Sequence, residues 1–156
     1  SAAVAEMAAI LSSLAEVPIR QSLAITGSVN QLGEIQPIGG VNEKIEGFFE
    51  SCKKRGLSGS QGVIIPARNT KHLGLRREVV EAVASGQFAV YAVNTVEEAL
   101  EILTGMPAGE RGPLGLFPDG TLYDRVGRRL EEMARIVSAW GEGEEEGRPN
   151  NVRHPS

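Results

Sequence analysis

The sequence predicts an α/β (α+β) fold. Short apolar runs typical of strands alternate along the chain with segments whose apolar residues recur every three or four positions, as they do in helices. The chain has 156 residues, of which 41% are hydrophobic and 23% are charged. These are the size and composition of one ordinary globular domain that can bury its own core.

The first part of the chain predicts one helix followed by two strands. Residues 2–15 carry apolar side chains at helical spacing, and Pro18 ends this element. Residues 22–30 alternate between apolar and polar side chains, which predicts a half-buried strand with Thr26 in its middle, on the polar face. Residues 34–38 predict a short returning strand.

The middle of the chain predicts three helices and two strands. They are a helix over about 41–55, a buried strand over 62–66, a helix over about 76–84, a strand over 88–93 and a helix from Thr95 through Leu103. Glu98 follows Thr95 at the spacing of a capping box, which supports the start of the last helix.

The last third of the chain predicts a separate helix between two irregular segments. Residues 106–118 are rich in glycine and proline and predict a linker, and residues 119–140 predict a helix with Asp119 as N-cap. The apolar positions of that helix step by four or three residues, which fits either a helix docked on the domain or a seam against another subunit. We expect the acidic and then polar residues 141–156 to form a disordered tail.

Composition excludes several classes of function. The net charge is −4 and no basic run could neutralise phosphates, so a nucleic-acid partner is not expected. No apolar run reaches the roughly 18 residues that span a bilayer, and a single cysteine, Cys52, permits no intrachain disulfide, so we expect a cytoplasmic setting. The chain opens without an initiating methionine or a leader, and we therefore expect it to be a piece of a longer protein.

The residues exclude several kinds of site as well. No stretch matches the P-loop pattern G-x-x-x-x-G-K-S/T, so ATP bound in that manner is not expected in this chain. His72 and His154 lack a second ligand at metal spacing, so no metal site is expected. His72 is interpreted as a surface or interface histidine and Cys52 as a core residue.

Lys44 is the charged residue that the pattern singles out. On a helical wheel it lies at the edge of the apolar face formed by Val41, Ile45, Phe48, Phe49 and Cys52. Burial and the positive end of the helix dipole would both favour an uncharged amine there, which is what a general base requires. The alternative is a lysine whose stem covers apolar surface while its ammonium reaches water.

Two hydroxyl residues are candidates to work with Lys44. Ser1 precedes the first predicted helix, where backbone N–H groups could hold an oxyanion, although it could equally be a helix cap or a residue added at the terminus. Thr26 could orient an amine, and without Lys44 beside it would be an ordinary strand threonine.

Several motifs closely resemble the signature of the Lon protease domain. They are Thr26-Gly27, Gly33-Glu34, Pro37-Ile38-Gly39-Gly40 and Glu43-Lys44, followed by the strand and loop Val63–Asn69 and the helix ending at Leu103. Residues 17–21 resemble the B-type branch of that family, in which the nucleophile lies in a Gly-Asp-Ser-Ala motif. Counting back without a gap places that serine on Ser1 and the alanine on Ala2. The matching Gly-Asp is absent from this sequence.

The resemblance implies an activity for residues 1–105. It implies a serine endopeptidase with a Ser1–Lys44 dyad, Thr26 in support and the backbone of Ala2 at the oxyanion. In this family the protease domain follows an AAA+ module and forms a hexameric ring that degrades unfolded or damaged polypeptides. ATP and Mg²⁺ are accordingly expected only on that module, with no cofactor in this chain. The AAA+ module and the family's first strands are missing from this sequence, so we expect that they lie on another chain, have been removed or were left out of this sequence.

Two alternatives remain open on the sequence. If Ser1 is the true N-terminus, its own α-amine could be the base, as in N-terminal nucleophile hydrolases. The chain could also be a non-catalytic Lon-like assembly module, which would be expected to lack one of the two dyad residues.

Overall fold

A computed structural model of the chain describes residues 3–146, with side chains described through residue 142. Its main sheet has three parallel strands in the order β1-β4-β5. These strands are β1 (Leu23–Ile25), β4 (Gly62–Pro66) and β5 (Ala89–Val93), and a separate antiparallel hairpin pairs β2 (Ser28–Val29) with β3 (Ile35–Gln36). The α/β class predicted from the sequence is thus present as a small parallel sheet with helices around it.

Five α-helices and one 3₁₀ helix surround the sheet in the described part of the chain. They are α1 (Ala3–Ala15), α2 (Val41–Arg55), the 3₁₀ helix (Ala67–His72), α3 (Arg77–Ala84), α4 (Val96–Thr104) and α5 (Leu122–Glu146). The predicted bounds of α2 and β4 match, and the predicted cap of α4 is present, because Thr95 Oγ1 accepts a hydrogen bond from Glu98 N.

The helices form one layer on each face of the sheet. Successive residues of the buried central strand β4 point to opposite faces. Ile64 packs with α1, α4 and the start of α5, whereas Val63 and Ile65 pack with α2 and α3. The domain therefore has two apolar cores separated by the sheet, and both helix layers depend on β4.

The strand predicted over residues 22–30 is wrong as a single element. The chain forms β1, turns at Thr26-Gly27 and then enters the hairpin, so Thr26 lies at the end of a strand and not in its middle. Gly27 has φ 145°, and a Cβ there would lie 2.9 Å from Ile35 Cγ2. This close packing requires glycine and breaks the strand.

The C-terminal helix also differs from the prediction. α5 begins at Leu122 and not at Asp119, and it continues to Glu146, so residues 141–146 belong to a helix and not to a tail. The remaining tail residues, 147–156, lie outside the described part. Residues 106–118 form no helix or strand, but Ala108 is fully buried and Tyr123 N donates to its carbonyl, so this segment is packed against the domain.

No helix within residues 3–146 is both long enough and apolar enough to cross a membrane.

Candidate active site

The carboxyl edge of the parallel sheet gathers the segments that carry the predicted site. Thr26 follows β1 and Asn69 follows β4, and these two strands are neighbours. The hairpin is tied to the end of β5, because Ile35 N donates to Asn94 O at 2.8 Å. Loops after parallel strands meet at one edge of a sheet, which is where ligand sites of α/β folds are found.

Thr26 has an unusual environment at this edge. Its backbone N donates to Ile64 O at 3.0 Å, which extends the pairing of β1 with β4 by one residue. Only 7% of Thr26 is exposed, and its Oγ1 is a buried oxygen with no hydrogen-bond partner among the described residues. A buried hydroxyl without a partner costs about 1–3 kcal/mol, so a purely structural role would favour valine here.

The first helix reaches the same edge. A Cβ built on Gly27 would lie 3.7 Å from Cγ2 of Val4, and Val4 is fully buried. The start of α1 therefore packs directly beside the Thr26-Gly27 turn. Ser1 and Ala2, the predicted nucleophile and oxyanion residue, lie outside the described residues.

Asn69 holds the turn that leads into α2. Its Oδ1 accepts a hydrogen bond from Ile38 N, and its Nδ2 donates to Ile38 O, both at 2.9 Å. Asn69 is 1% exposed, so both polar atoms of the amide are satisfied away from water. This side chain fixes the backbone just before Gly39-Gly40 to the loop that follows β4.

A second asparagine secures the first turn of α2. Asn42 Nδ2 donates to His72 O at 2.9 Å, and Asn42 Oδ1 accepts from Gly74 N at 2.8 Å. Gly40, the residue before the helix, is left-handed with φ 70° and ψ 29°, which favours glycine. The backbone around Lys44 is thus held before the helix by Asn69 and within its first turn by Asn42.

Neither Asn42 nor Asn69 was among the residues predicted for the site. Asn69 stands within the segment that carried the family resemblance, three residues after the buried strand β4 ends at Pro66. An asparagine in a turn commonly forms hydrogen bonds with nearby backbone groups, and this tendency could have suggested a structural role for Asn69. Its hydrogen-bond partner, Ile38, is 31 residues away in the sequence, so local sequence patterns could not identify it.

Lys44 lies in the first turn of α2, as predicted, and its backbone N donates to Gly40 O at 3.1 Å. The face assigned to α2 is also confirmed, because Val41, Ile45, Phe49 and Cys52 are buried. The expected burial of the Lys44 side chain is wrong for this chain, since the residue is exposed. Glu43 and Gly47 are exposed beside it, so the edge of the apolar face points outward.

Cys52 and His72, which were not predicted to act in the site, lie in different environments. Cys52 is buried in the core under α2, and burial raises the pKa of its thiol, which makes it a poor nucleophile. His72 is exposed, and its Nδ1 lies 3.4 Å from Asn69 Nδ2 at the end of the 3₁₀ helix.

Comparison with known proteins gives one family. Residues 1–105 match the family described as the Lon protease (S16) C-terminal proteolytic domain. The match includes every element from α1 through α4 and ends where the packed segment before α5 begins.

Individual relatives agree with this match. A Lon protease homolog from Escherichia coli is 46% identical over 140 residues, which cover 90% of this chain and 24% of that protein. One from Haemophilus influenzae is 47% identical over 86% of this chain and 22% of that protein, and an archaeal Lon protease from Thermococcus kodakarensis is 37% identical over 89% and 18%. This chain therefore spans a quarter or less of the length of these relatives, and its similarity to them extends past residue 105.

Proposed function

Because this chain belongs to the Lon protease C-terminal proteolytic domain family, we propose that it cleaves peptide bonds with Ser1 as nucleophile and Lys44 as general base. Membership of this family supports a peptidase activity. The assignment of the two residues rests on their match to the family motifs and on the site around Thr26.

The observation that carries the proposal is the unsatisfied hydroxyl of Thr26. A buried hydroxyl without a partner is costly to the fold and is explained by a partner present in the working site. Thr26 lies at the carboxyl edge of β1, and the α2 start that bears Lys44 is pinned to the loop after the neighbouring strand. In the proposal, Thr26 orients the amine of Lys44.

The position of α1 supports the role of Ser1. Val4 packs beside Gly27, and three residues of chain span at most about 11 Å. Ser1 can therefore reach the Thr26 edge by chain length alone.

The proposed reaction has two halves. Lys44 accepts the proton of the Ser1 hydroxyl as Oγ attacks the peptide carbonyl, and the backbone N–H of Ala2 helps to stabilise the oxyanion. The C–N bond then breaks, the leaving amine takes the proton from Lys44, and an acyl-enzyme remains. Lys44 next takes a proton from water, the hydroxide attacks the ester, and Ser1 regains its proton as the carboxyl product leaves.

The exposure of Lys44 places a requirement on this reaction. A lysine acts as a base only when its amine is uncharged, and removal from water favours that state. The proposal therefore requires that Lys44 be covered in the working enzyme, by the bound peptide or by other parts of a longer protein.

We extend the proposal to the whole protein on the basis of the family. The active form would be a hexameric ring in the cytoplasm that degrades unfolded or damaged polypeptides, with ATP and Mg²⁺ bound on an associated AAA+ module. Measuring casein degradation by the longer protein with and without ATP tests this extension. Equal rates in the two conditions would contradict the coupling.

The dyad is tested by substitution in the longer protein. Ser1→Ala and Lys44→Ala should each lower the turnover of a fluorogenic peptide by at least about a thousandfold, as expected when residues that act as a unit are removed. Lys54→Ala is the matched control, because Lys54 is an exposed lysine at the other end of the same helix. Turnover near that of the wild type in either dyad variant would overturn the proposal.

A further inference from the structure

The Gly39-Gly40 turn before α2 has no side chains of its own that could fix it by packing. A Cβ built on Gly39 would meet nothing within 4 Å among the described residues, and one built on Gly40 would lie 3.5 Å from a carboxylate oxygen of Glu43. Glycine also restricts the backbone less than any other residue. The direction in which α2 leaves this turn therefore depends strongly on the contacts made on either side of the two glycines.

Asn69 makes the contact before the turn. Its amide forms two hydrogen bonds of 2.9 Å with the backbone of Ile38, one with the N–H and one with the C=O. Asn69 belongs to the 3₁₀ helix that directly follows β4, and it is 1% exposed, so water does not compete for these bonds. They tie the residue before the glycines to the end of the central strand.

Asn42 makes the contact after the turn. Its Nδ2 donates to His72 O, and its Oδ1 accepts from Gly74 N. Both partners lie at the end of the same 3₁₀ helix or just after it. Lys44 follows Asn42 by two residues, and Lys44 N donates to Gly40 O at 3.1 Å. The two asparagines therefore fix the start of α2 to one segment, the chain that follows β4.

Thr26 is fixed to the same central strand. Its backbone N donates at 3.0 Å to the carbonyl oxygen of Ile64, which lies in β4. A short route through β4 and the two asparagines thus connects Thr26 to the start of α2. The route along the chain passes through the hairpin and then through the two glycines. The position of the α2 start relative to Thr26 is therefore governed by Asn69 and Asn42.

We propose that Asn69 and Asn42 are positioning residues for the reaction, because through α2 they hold the Lys44 amine in line with Thr26 and Ser1. The inference rests on the roles proposed above for Ser1 and Lys44. A displacement of about 1 Å in a catalytic group can lower a rate about a hundredfold. Lys44 acts on the proton of Ser1 and not on the binding of the peptide, so the loss belongs to kcat and not to KM.

The contribution of Asn69 is tested in the longer protein with a fluorogenic peptide. Asn69→Ala should lower kcat at least about tenfold and leave KM within about twofold of the wild type. Val79→Ala is the matched control, because Val79 is a fully buried residue of α3 whose truncation destabilises the core under α2. It should keep the kcat of the wild type. Circular dichroism would verify that both variants are folded.

Asn42 provides a second variant that does not depend on a buried side chain. Its hydrogen bonds lie at the surface, so Asn42→Ala should fold and should still lower kcat at least about threefold with KM unchanged. Ser51→Ala is its matched control. Ser51 Oγ donates to Gly47 O at 3.2 Å, an exposed bond within α2 that ties the helix to no other element. This control should leave kcat unchanged.

Lys44→Ala separates a failure of this inference from a failure of the proposed function. If Lys44→Ala is inactive while Asn69→Ala and Asn42→Ala both keep the kcat of the wild type, the positioning roles are overturned and the dyad stands. If Lys44→Ala keeps full turnover, the dyad is overturned and the positioning roles with it. A loss that appears only in KM, or equally in the two control variants, would also overturn the positioning roles, because it would reflect peptide binding or stability.

Discussion

The surroundings of Thr26 allow its effect on stability to be distinguished from the role in activity that we propose for it. Its methyl group packs in a buried environment, but its hydroxyl has no partner among the described residues. A side chain selected for stability alone would have a methyl group in place of the hydroxyl, since valine has nearly the same shape. The unpartnered hydroxyl therefore supports the role in the reaction that we propose for Thr26.

Thr26→Val should raise the free energy of unfolding by about 1 kcal/mol and at the same time lower peptidase activity. Thr26→Ser should lower the free energy of unfolding by about 1 kcal/mol, because it loses a buried methyl group. It should keep peptidase activity, because it retains the hydroxyl. Urea denaturation and peptide turnover measure the two effects. A Thr26→Val enzyme with full activity would contradict the role assigned to the hydroxyl.

Asn69 is the residue on which the position of the α2 start depends. Asn69→Ala removes two hydrogen bonds and leaves the N–H and C=O of Ile38 without these partners, so we expect a loss of about 2–4 kcal/mol in unfolding free energy. Asn42→Ala serves as the control, since its contacts are exposed and its loss should be about 1 kcal/mol. Equal losses in the two variants would show that the buried amide has no special importance.

At the scale of elements, the sequence predicted regular helices and buried strands well. Residues 41–55 and 62–66 form α2 and β4 with the predicted bounds, because the apolar pattern of each matches a single face or a fully buried strand. The break at Gly27 was missed, because it is caused by the close approach of Ile35, a contact that alternation within one segment does not reveal.

The end of α5 was missed for a different reason. Glycine and repeated glutamate predicted disorder from residue 141, but glutamate is a good helix former and an established helix extends at little cost. The bounds of such a segment depend on the helix before it more than on its own composition.

The docking of α5 on α4 has a measurable dependence on pH. Tyr123 donates a hydrogen bond to Glu97 at 2.9 Å. Burial, and then this bond and the negative charge of Glu97, raise the pKa of Tyr123 well above its ordinary value of 10.0. Because the pKa is raised in the folded state, the stabilisation is fully present below pH 10.0 and is lost as the pH rises further.

The Tyr123→Phe variant cannot donate a hydrogen bond to Glu97, and it has no phenol to ionise at high pH. The difference in unfolding free energy between the wild type and Tyr123→Phe should therefore shrink as the pH rises from about 9 to about 11. Urea denaturation at several pH values measures the difference. A difference that grows with pH would show that the phenol ionises readily in the folded protein.

At the scale of the whole molecule, the fold holds the elements of the proposed site at one edge of the sheet, and Lys44 is exposed there. The sheet, the hairpin and the two asparagines hold the Thr26 turn and the start of α2 at one edge. Burial of Lys44 was predicted because the residue lies beside the apolar face of α2. A helical wheel shows which residues share a face, but it does not show whether another part of the protein covers the edge of that face. In this chain the side chain is exposed.

The reactivity of the Lys44 amine should therefore differ between this chain and the longer protein. In this chain, Lys44 should be acylated by a water-soluble ester, since the residue is exposed, and Lys54 serves as the exposed reference lysine of the same helix. In the longer protein with a bound peptide aldehyde, Lys44 should be protected while Lys54 still reacts. Mass spectrometry of the labelled peptides measures both rates, and equal reactivity in the second setting would contradict the covering of Lys44.

The dyad itself is tested most directly by trapping the nucleophile. The longer protein is treated with a fluorophosphonate, and the modified residue is identified by mass spectrometry. We expect phosphonylation of Ser1 in the wild type and in Lys44→Ala a rate lower by at least about a hundredfold, because the hydroxyl then lacks its base. Labelling of a different residue, or of Ser1 at an unchanged rate in Lys44→Ala, would contradict the account.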